Sequence, residues 1–112
     1  MGVFVRGDIV VVPFPFSDLS ASKKRPALVL VSLQGEDVIL CQITSRNIKD
    51  IKAISINIDD VENGSLREIS NIRPNKLFTA DKSIILYKLG NLVPSKLNMV
   101  VSVIVNMLRD ET

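Results

Sequence analysis

The apolar residues of this chain change their spacing once, and that change sets the fold class. Up to Val93 they fall in short runs closed by Gly, Pro, Asp, Asn or Ser; beyond Pro94 they recur at helical intervals. Short apolar runs bounded by turn residues read as strands. Ile and Val, whose branched side chains suit a pleated surface, supply about a quarter of the chain. Strands are expected at 9–14, 27–32, 38–44, 54–58, 69–77 and 83–89. In the fourth, Ile54, Ile56 and Ile58 alternate with Ser55 and Asn57, so one face is buried. Pro13 and Pro15 flank Phe14. Neither can donate to a ladder, which places this end at a sheet edge or a strand exit. Turns are expected at Gln34-Gly35-Glu36-Asp37, at 59–64 and at Ala80-Asp81-Lys82; 45–51 is a basic connection, and the Ser-rich stretch 16–24 reads as a mobile loop.

The last segment follows a different period. Leu97, Val100, Val101, Ile104, Val105 and Leu108 stand at i, i+3, i+4, i+7, i+8 and i+11, one face of an α-helix. Pro94 suits its first turn. A second apolar row, Met99, Val103 and Met107, narrows the polar stripe to Asn98, Ser102, Asn106 and Arg109. A helix on a small sheet needs one apolar stripe. Two rows mean either a second contact, such as another subunit, or a helix sunk deep in its own fold. The expected architecture is α+β, mainly β: a small, strongly bent antiparallel sheet or barrel with one C-terminal helix. With 112 residues and no repeat or linker, residues 1–112 are expected to form one domain.

Composition removes several function classes. The chain has no histidine and one cysteine, Cys41. Ser-His-Asp and Cys-His catalysis are thereby excluded, as is a Cys/His zinc site. A lone cysteine has no internal disulfide partner, which favours the reducing cytoplasm. No apolar run approaches the roughly 18 residues of a membrane span, and the start, Met1-Gly2-Val3-Phe4-Val5-Arg6-Gly7, lacks a signal-peptide layout. The five glycines form no phosphate-binding loop. Asp59, Asp60 and Glu62 lack calcium-loop spacing and read as a solvated turn. No metal or cofactor is expected.

The net charge is +2, from 14 basic and 12 acidic residues, so nucleic acid is a partner only if the charge is clustered. Basic residues do cluster, at Lys23-Lys24-Arg25, at Arg46, Lys49 and Lys52, and at Arg67, Arg73 and Lys76. Folding either brings these together on one face or leaves three solvated strand ends. Arg25 precedes Pro26 and a fully apolar run. A guanidinium there, beside a loop, suits a phosphate with its planar fork; an exposed strand-start arginine is the alternative. Thr44-Ser45-Arg46 closes a buried strand with two hydroxyls and a guanidinium, which either grip an oxyanion or cap the strand. Arg73 offers a further phosphate or base contact, or an ion pair with an acid such as Glu68. Cys41 lies in an apolar strand and packs there.

Taken together, these residues resemble a known family. Arg6-Gly7-Asp8-Ile9-Val10-Val11-Val12-Pro13-Phe14-Pro15-Phe16-Ser17-Asp18, followed by Lys24-Arg25-Pro26-Ala27-Leu28-Val29-Leu30, resembles the PemK/MazF toxins. Gln42-Ile43-Thr44-Ser45 matches that family's second motif, and Gly64-Ser65-Leu66 with Ile72-Arg73-Pro74-Asn75-Lys76-Leu77 its third region. The resemblance covers nearly the whole chain in order. It implies a compact SH3-like antiparallel β-barrel, related to the toxin CcdB, with a C-terminal helix. It also implies a homodimer, a metal-independent endoribonuclease acting on single-stranded mRNA, and a cognate antitoxin that blocks the RNA groove. Arg25 and Thr44 match the catalytic pair, with Ser45 beside them. Arg73 matches a position that contacts RNA or supports the site, and the loop up to Lys24 matches a mobile loop over the groove. Lys24, Arg46, Lys76 and the aromatic Phe16 complete the expected RNA-binding set.

RNA carries its own nucleophile, the 2′-hydroxyl, so an enzyme can act by aligning it and stabilising the phosphorane charge. That needs neither histidine nor metal. The expected products are a 2′,3′-cyclic phosphate and a 5′-hydroxyl. Arginine is a poor proton donor, so a shuttle is required, and Asp18 and Glu68 are the candidates. Asn75 stands where some relatives carry an acid. A second function class is a CcdB-like gyrase poison, whose C-terminal tail needs a tryptophan; this chain has none. A third is an inactive member that binds RNA or antitoxin only.

Overall fold

Three apolar runs build the centre of the molecule. In the computed structural model, which describes residues 3–14, 23–46 and 50–110, β1 (Asp8–Phe14), β2 (Lys23–Ser32) and β3 (Asp37–Thr44) lie side by side, each antiparallel to the next. Around them stand β4 (Ile54–Ile56), β5 (Val61–Glu62), β6 (Ser70–Asp81) and β7 (Tyr87–Leu92), in the order β4-β6-β3-β2-β1-β7-β5. One helix, α1 (Pro94–Asp110), follows. The molecule measures 34 × 32 × 31 Å. A flat sheet with one helix on it would be far thinner in one direction, so the sheet is curled into an antiparallel half-barrel.

The central strands are continuously apolar because both of their faces are covered. On one face Ile9, Leu28, Cys41, Ile43 and Ile72 pack with Val100 and Ile104 of α1. On the other, Val10, Val12, Ala27, Val29, Val38 and Leu40 pack against Phe4, Phe78, Ile84 and Ile85. Each fully buried Val, Leu or Ile contributes about 1.5–3 kcal/mol of transfer free energy. Among the described residues, one charged side chain is buried inside this frame. Asp8 is buried, accepts the Val5 N–H at 2.9 Å and sits 3.1 Å from the Lys88 ammonium. The pair ties β1 to β7, and a buried carboxylate left without such a partner costs several kcal/mol.

The outer elements depart from the expected boundaries for local reasons. β2 begins at Lys23, four residues before the expected start, because Lys23 and Lys24 pair with Phe14 and Pro13. The run of alternating isoleucines stops short: Ile58 is exposed in a single 3₁₀ turn, Ile58–Asp60. Asn57 breaks the strand, its side chain accepting the Asp59 N–H while Asp60 accepts the Asn57 N–H, both at 2.9 Å. This is a reciprocal cap, which outcompetes continued alternation. The expected turn at 80–82 moves on, since β6 runs to Asp81 and Asp81 caps the 3₁₀ turn Lys82–Ile84. The strand expected at 83–89 therefore forms only as Tyr87–Leu92.

β6 also carries a bulge. Ile72 faces Ile43 and Leu77 faces Cys41, so Arg73-Pro74-Asn75-Lys76 stand opposite the single residue Gln42. Pro74 has no N–H for the ladder, and a bulge is where a strand tolerates that. In α1 only Val100 and Ile104 are buried. Met99, Val105 and Leu108 are exposed, so the helix is not sunk in its own fold. Its second row, Met99, Val103 and Met107, instead lines a groove of about 480 Å³ with Ile51 and Ile54. Among the described residues, no helix is long and apolar enough to cross a membrane.

Candidate active site

A cleft of about 540 Å³ opens where β1, β2, β3 and β7 meet the segment leading to β6. Val11, Pro26, Ile43, Leu66 and Leu89 supply its apolar lining. Among the described residues, Lys24, Arg25 and Arg67 supply positive charge, Glu68 the single carboxylate, and Ser45, Ser65 and Ser70 hydroxyls. Tyr87 is the one aromatic residue among the described residues of the lining.

Strand register assembles this set from distant parts of the chain. In β1 and β2, Val12 faces Arg25 and Val11 faces Pro26. In β2 and β3, Ala27 faces Gln42 and Leu28 faces Cys41. Continuing that register by two residues places Arg25 across from Thr44. Thr44 is buried, and its hydroxyl oxygen accepts the Arg46 N–H at 3.2 Å. That local turn leads the chain out of β3 and presents the exposed Ser45 to the cleft.

The opposite wall depends on glycine. A side chain on Gly64 would place its Cβ 1.6 Å from the Leu89 carbonyl oxygen and 2.8 Å from the Gly90 Cα. This close approach lets Ser65 donate its N–H to the Leu89 carbonyl at 3.2 Å. Ser65, Leu66, Arg67 and Glu68 are thereby laid along the cleft beside β7.

The structure thus gathers Lys24, Arg25, Ser45 and Glu68 at one cleft; Thr44, buried next to Ser45 in the chain, is not part of its lining. Arg46, Arg73 and Lys76 do not line it. Arg46 acts locally through its backbone, which caps Thr44 and accepts the Asn71 amide at 3.3 Å. Lys76 is exposed in the bulge, as is Asn75. Arg73 pairs with Asp50 at 3.9 Å rather than with Glu68. Asp50 Oδ2 and Arg73 Nε are buried and make no hydrogen bond among the described residues. Phe16, Asp18 and most of the expected mobile loop lie outside the described residues, as does Lys49. The side chain of Cys41 is fully buried, and burial pushes its thiol up to about 12, so it stays protonated at neutral pH. Its Sγ lies 3.0 Å from the Arg73 carbonyl. Among the described residues, no cluster of acidic and cysteine side chains is placed to hold a metal ion.

Two contributors were not singled out by spacing. Arg67 was visible only as one member of a basic cluster, and Tyr87 carried no signal beyond being the chain's one tyrosine. A cleft with cations, hydroxyls, an aromatic ring and an apolar lining suits a ligand with both anionic and flat apolar parts.

Solved structures share this fold. An endoribonuclease in complex with its cognate antitoxin, from a mycobacterial species, aligns at 13% identity over 98% of this chain and 99% of that one, with a TM-score of 0.74. The Mycobacterium tuberculosis toxin MazF-mt6 aligns at 16% identity over 90% and 95%, with a TM-score of 0.71. A MazE–MazF structure from Deinococcus radiodurans aligns at 19% identity over 96% and 97%, with a TM-score of 0.75. No curated protein matches significantly in sequence. The family model of the PemK-like, MazF-like toxins of type II toxin–antitoxin systems matches residues 5–108. With its motifs in order, its half-barrel and its basic cleft, the chain belongs to that family of toxins.

Proposed function

We propose that this toxin is a metal-independent, sequence-specific endoribonuclease that cuts single-stranded mRNA and so halts translation and growth. The observation that carries the reading is the cleft itself: Lys24, Arg25 and Arg67 beside the hydroxyl of Ser45, with Thr44 across from Arg25. Arg25 holds the non-bridging oxygens of the scissile phosphate with its fork. Thr44 accepts a backbone N–H through its oxygen, which leaves its own proton to donate to the same phosphate. The RNA 2′-oxygen attacks phosphorus, the bond to the 5′-oxygen breaks, and charge builds on oxygens that the cations face. Glu68 takes the 2′-hydroxyl proton and, as the shuttle, passes it to the leaving 5′-oxygen, which departs as a 5′-hydroxyl. Ser45 and Lys24 hold the strand, and Arg73, Arg46 and Lys76 act on it at longer range or through the backbone.

The chain works as one domain in the cytoplasm, where its lone cysteine is safe from oxidation. The similar mycobacterial endoribonuclease solved in complex with its cognate antitoxin supports an antitoxin as this chain's partner. The exposed apolar side chains of α1 support a homodimer built through the helix and the sheet. Sedimentation at micromolar concentration is expected to give a dimer, and Met107→Glu, which puts a charge among Met99 and Val103, shifts it towards monomer. A wild-type monomer would overturn this interface.

The decisive test is incubation of the purified chain with a long single-stranded RNA in EDTA, followed by mapping of cut sites and end groups. Cuts at one short sequence ending in a cyclic phosphate are expected. With three cations in the cleft, a roughly fourfold rise in salt weakens RNA binding about 20-fold. No cuts, with growth still arrested in cells, would move the target to a protein such as gyrase. RNA binding without cleavage would mark an inactive member.

A further inference from the structure

We propose that Tyr87 is the base-stacking platform of the cleft, its ring holding one nucleobase of the strand whose phosphates Lys24 and Arg25 grip. This rests on the endoribonuclease reading and extends it to a residue outside the motifs.

The argument is one of placement. Tyr87 opens β7 directly across from Val11 of β1, and both line the cleft. Val11 is 5% exposed whereas Tyr87 is 51% exposed, so the phenol stands up from an apolar lining instead of packing into it. Its hydroxyl makes no hydrogen bond among the described residues. Lys24, Arg25 and Arg67 share the same cleft. A cationic groove that follows the phosphates, with an aromatic face set into it, is the composition that binds single strands. A base has a flat face for the ring, and its phosphate reaches the cations; a plain polyanion would have no use for the phenol.

The chain provides its own reporter. It has one tyrosine and no tryptophan, so its tyrosine fluorescence comes from Tyr87 alone. The probes are a 2′-O-methyl oligoribonucleotide, which lacks the nucleophile for cleavage, and a strand of equal length and charge without bases. The base-bearing strand is expected to quench Tyr87 and to bind about tenfold more tightly than the baseless one. Tyr87→Ala loses that tenfold preference, while Tyr87→Phe, which keeps the ring, stays within about twofold of wild type. Thermal unfolding of both variants checks that the exposed site leaves the fold unchanged. Equal quenching by both strands, or wild-type binding by Tyr87→Ala, overturns the inference. If RNA is cut normally by wild type and Tyr87→Ala alike, the inference alone fails. If wild type neither binds nor cuts RNA, the endoribonuclease reading fails with it.

Discussion

Arg25→Ala lowers the rate of RNA cleavage about 100- to 1,000-fold, the effect of removing one group aimed at charge that develops in the transition state. Arg25 is only half-buried at the start of β2, so the loss is expected without a large change in thermal stability. Arg25→Lys recovers part of the rate, since an ammonium restores the charge but not the bidentate fork. Thr44→Val lowers the rate as well and costs about 1 kcal/mol of stability, because the Arg46 N–H loses its acceptor. Single-turnover cleavage of one mapped site measures both effects. Unchanged cleavage in both Arg25→Ala and Thr44→Val would show that the reaction takes place elsewhere.

Gly64→Ala carries the largest expected effect on stability. The new Cβ meets a backbone carbonyl, that of Leu89, at 1.6 Å, and a carbonyl in a strand cannot swing aside as a side chain can. β7 and the segment 64–68 must separate, at about 3 kcal/mol, the upper part of the range for overpacking. For a domain of this size that lowers the melting temperature by roughly 10 °C or more. Cleavage falls with it, since the same separation moves Arg67 and Glu68 away from Tyr87. Gly35→Ala is the control. Nothing lies within 4 Å of its Cβ, and only its φ of +81° resists substitution, so about 1 kcal/mol is expected. Equal melting temperatures for the two variants would show that the close approach at Gly64 is not rigid.

The two predictions mark a division within the site. Arg25 and Thr44 are marked in one dimension by the family's motifs, and each sits at the end of a strand-like run whose bare spacing also fits an exposed strand start and a polar cap. Once 27–32 and 38–44 are strands joined by a short turn, antiparallel pairing brings their outer ends together. The helix was legible from spacing, its period of 3.6 being sustained across α1. Ile58 misled because alternation says nothing about whether the next side chain will cap the backbone, as Asn57 does. Arg73 and Lys76 read as part of a strand beside the site. Whether four residues bulge against one depends on where Ile72 and Leu77 find their partners in β3, a long-range matter.

Local patterning alone therefore determined the strand-rich class, the C-terminal helix and the motif order of the family. These follow from side-chain periodicity and turn chemistry over a few neighbouring residues. The register that sets Arg25 against Thr44 needs the bulge between Val29 and Val31. The cleft was decided only by tertiary contact. Arg67, Glu68 and Tyr87 share it with Lys24 because a glycine lets one backbone rest against another, more than twenty residues further along the chain. Such an approach is set by the shape of the closed half-barrel, which no local pattern records.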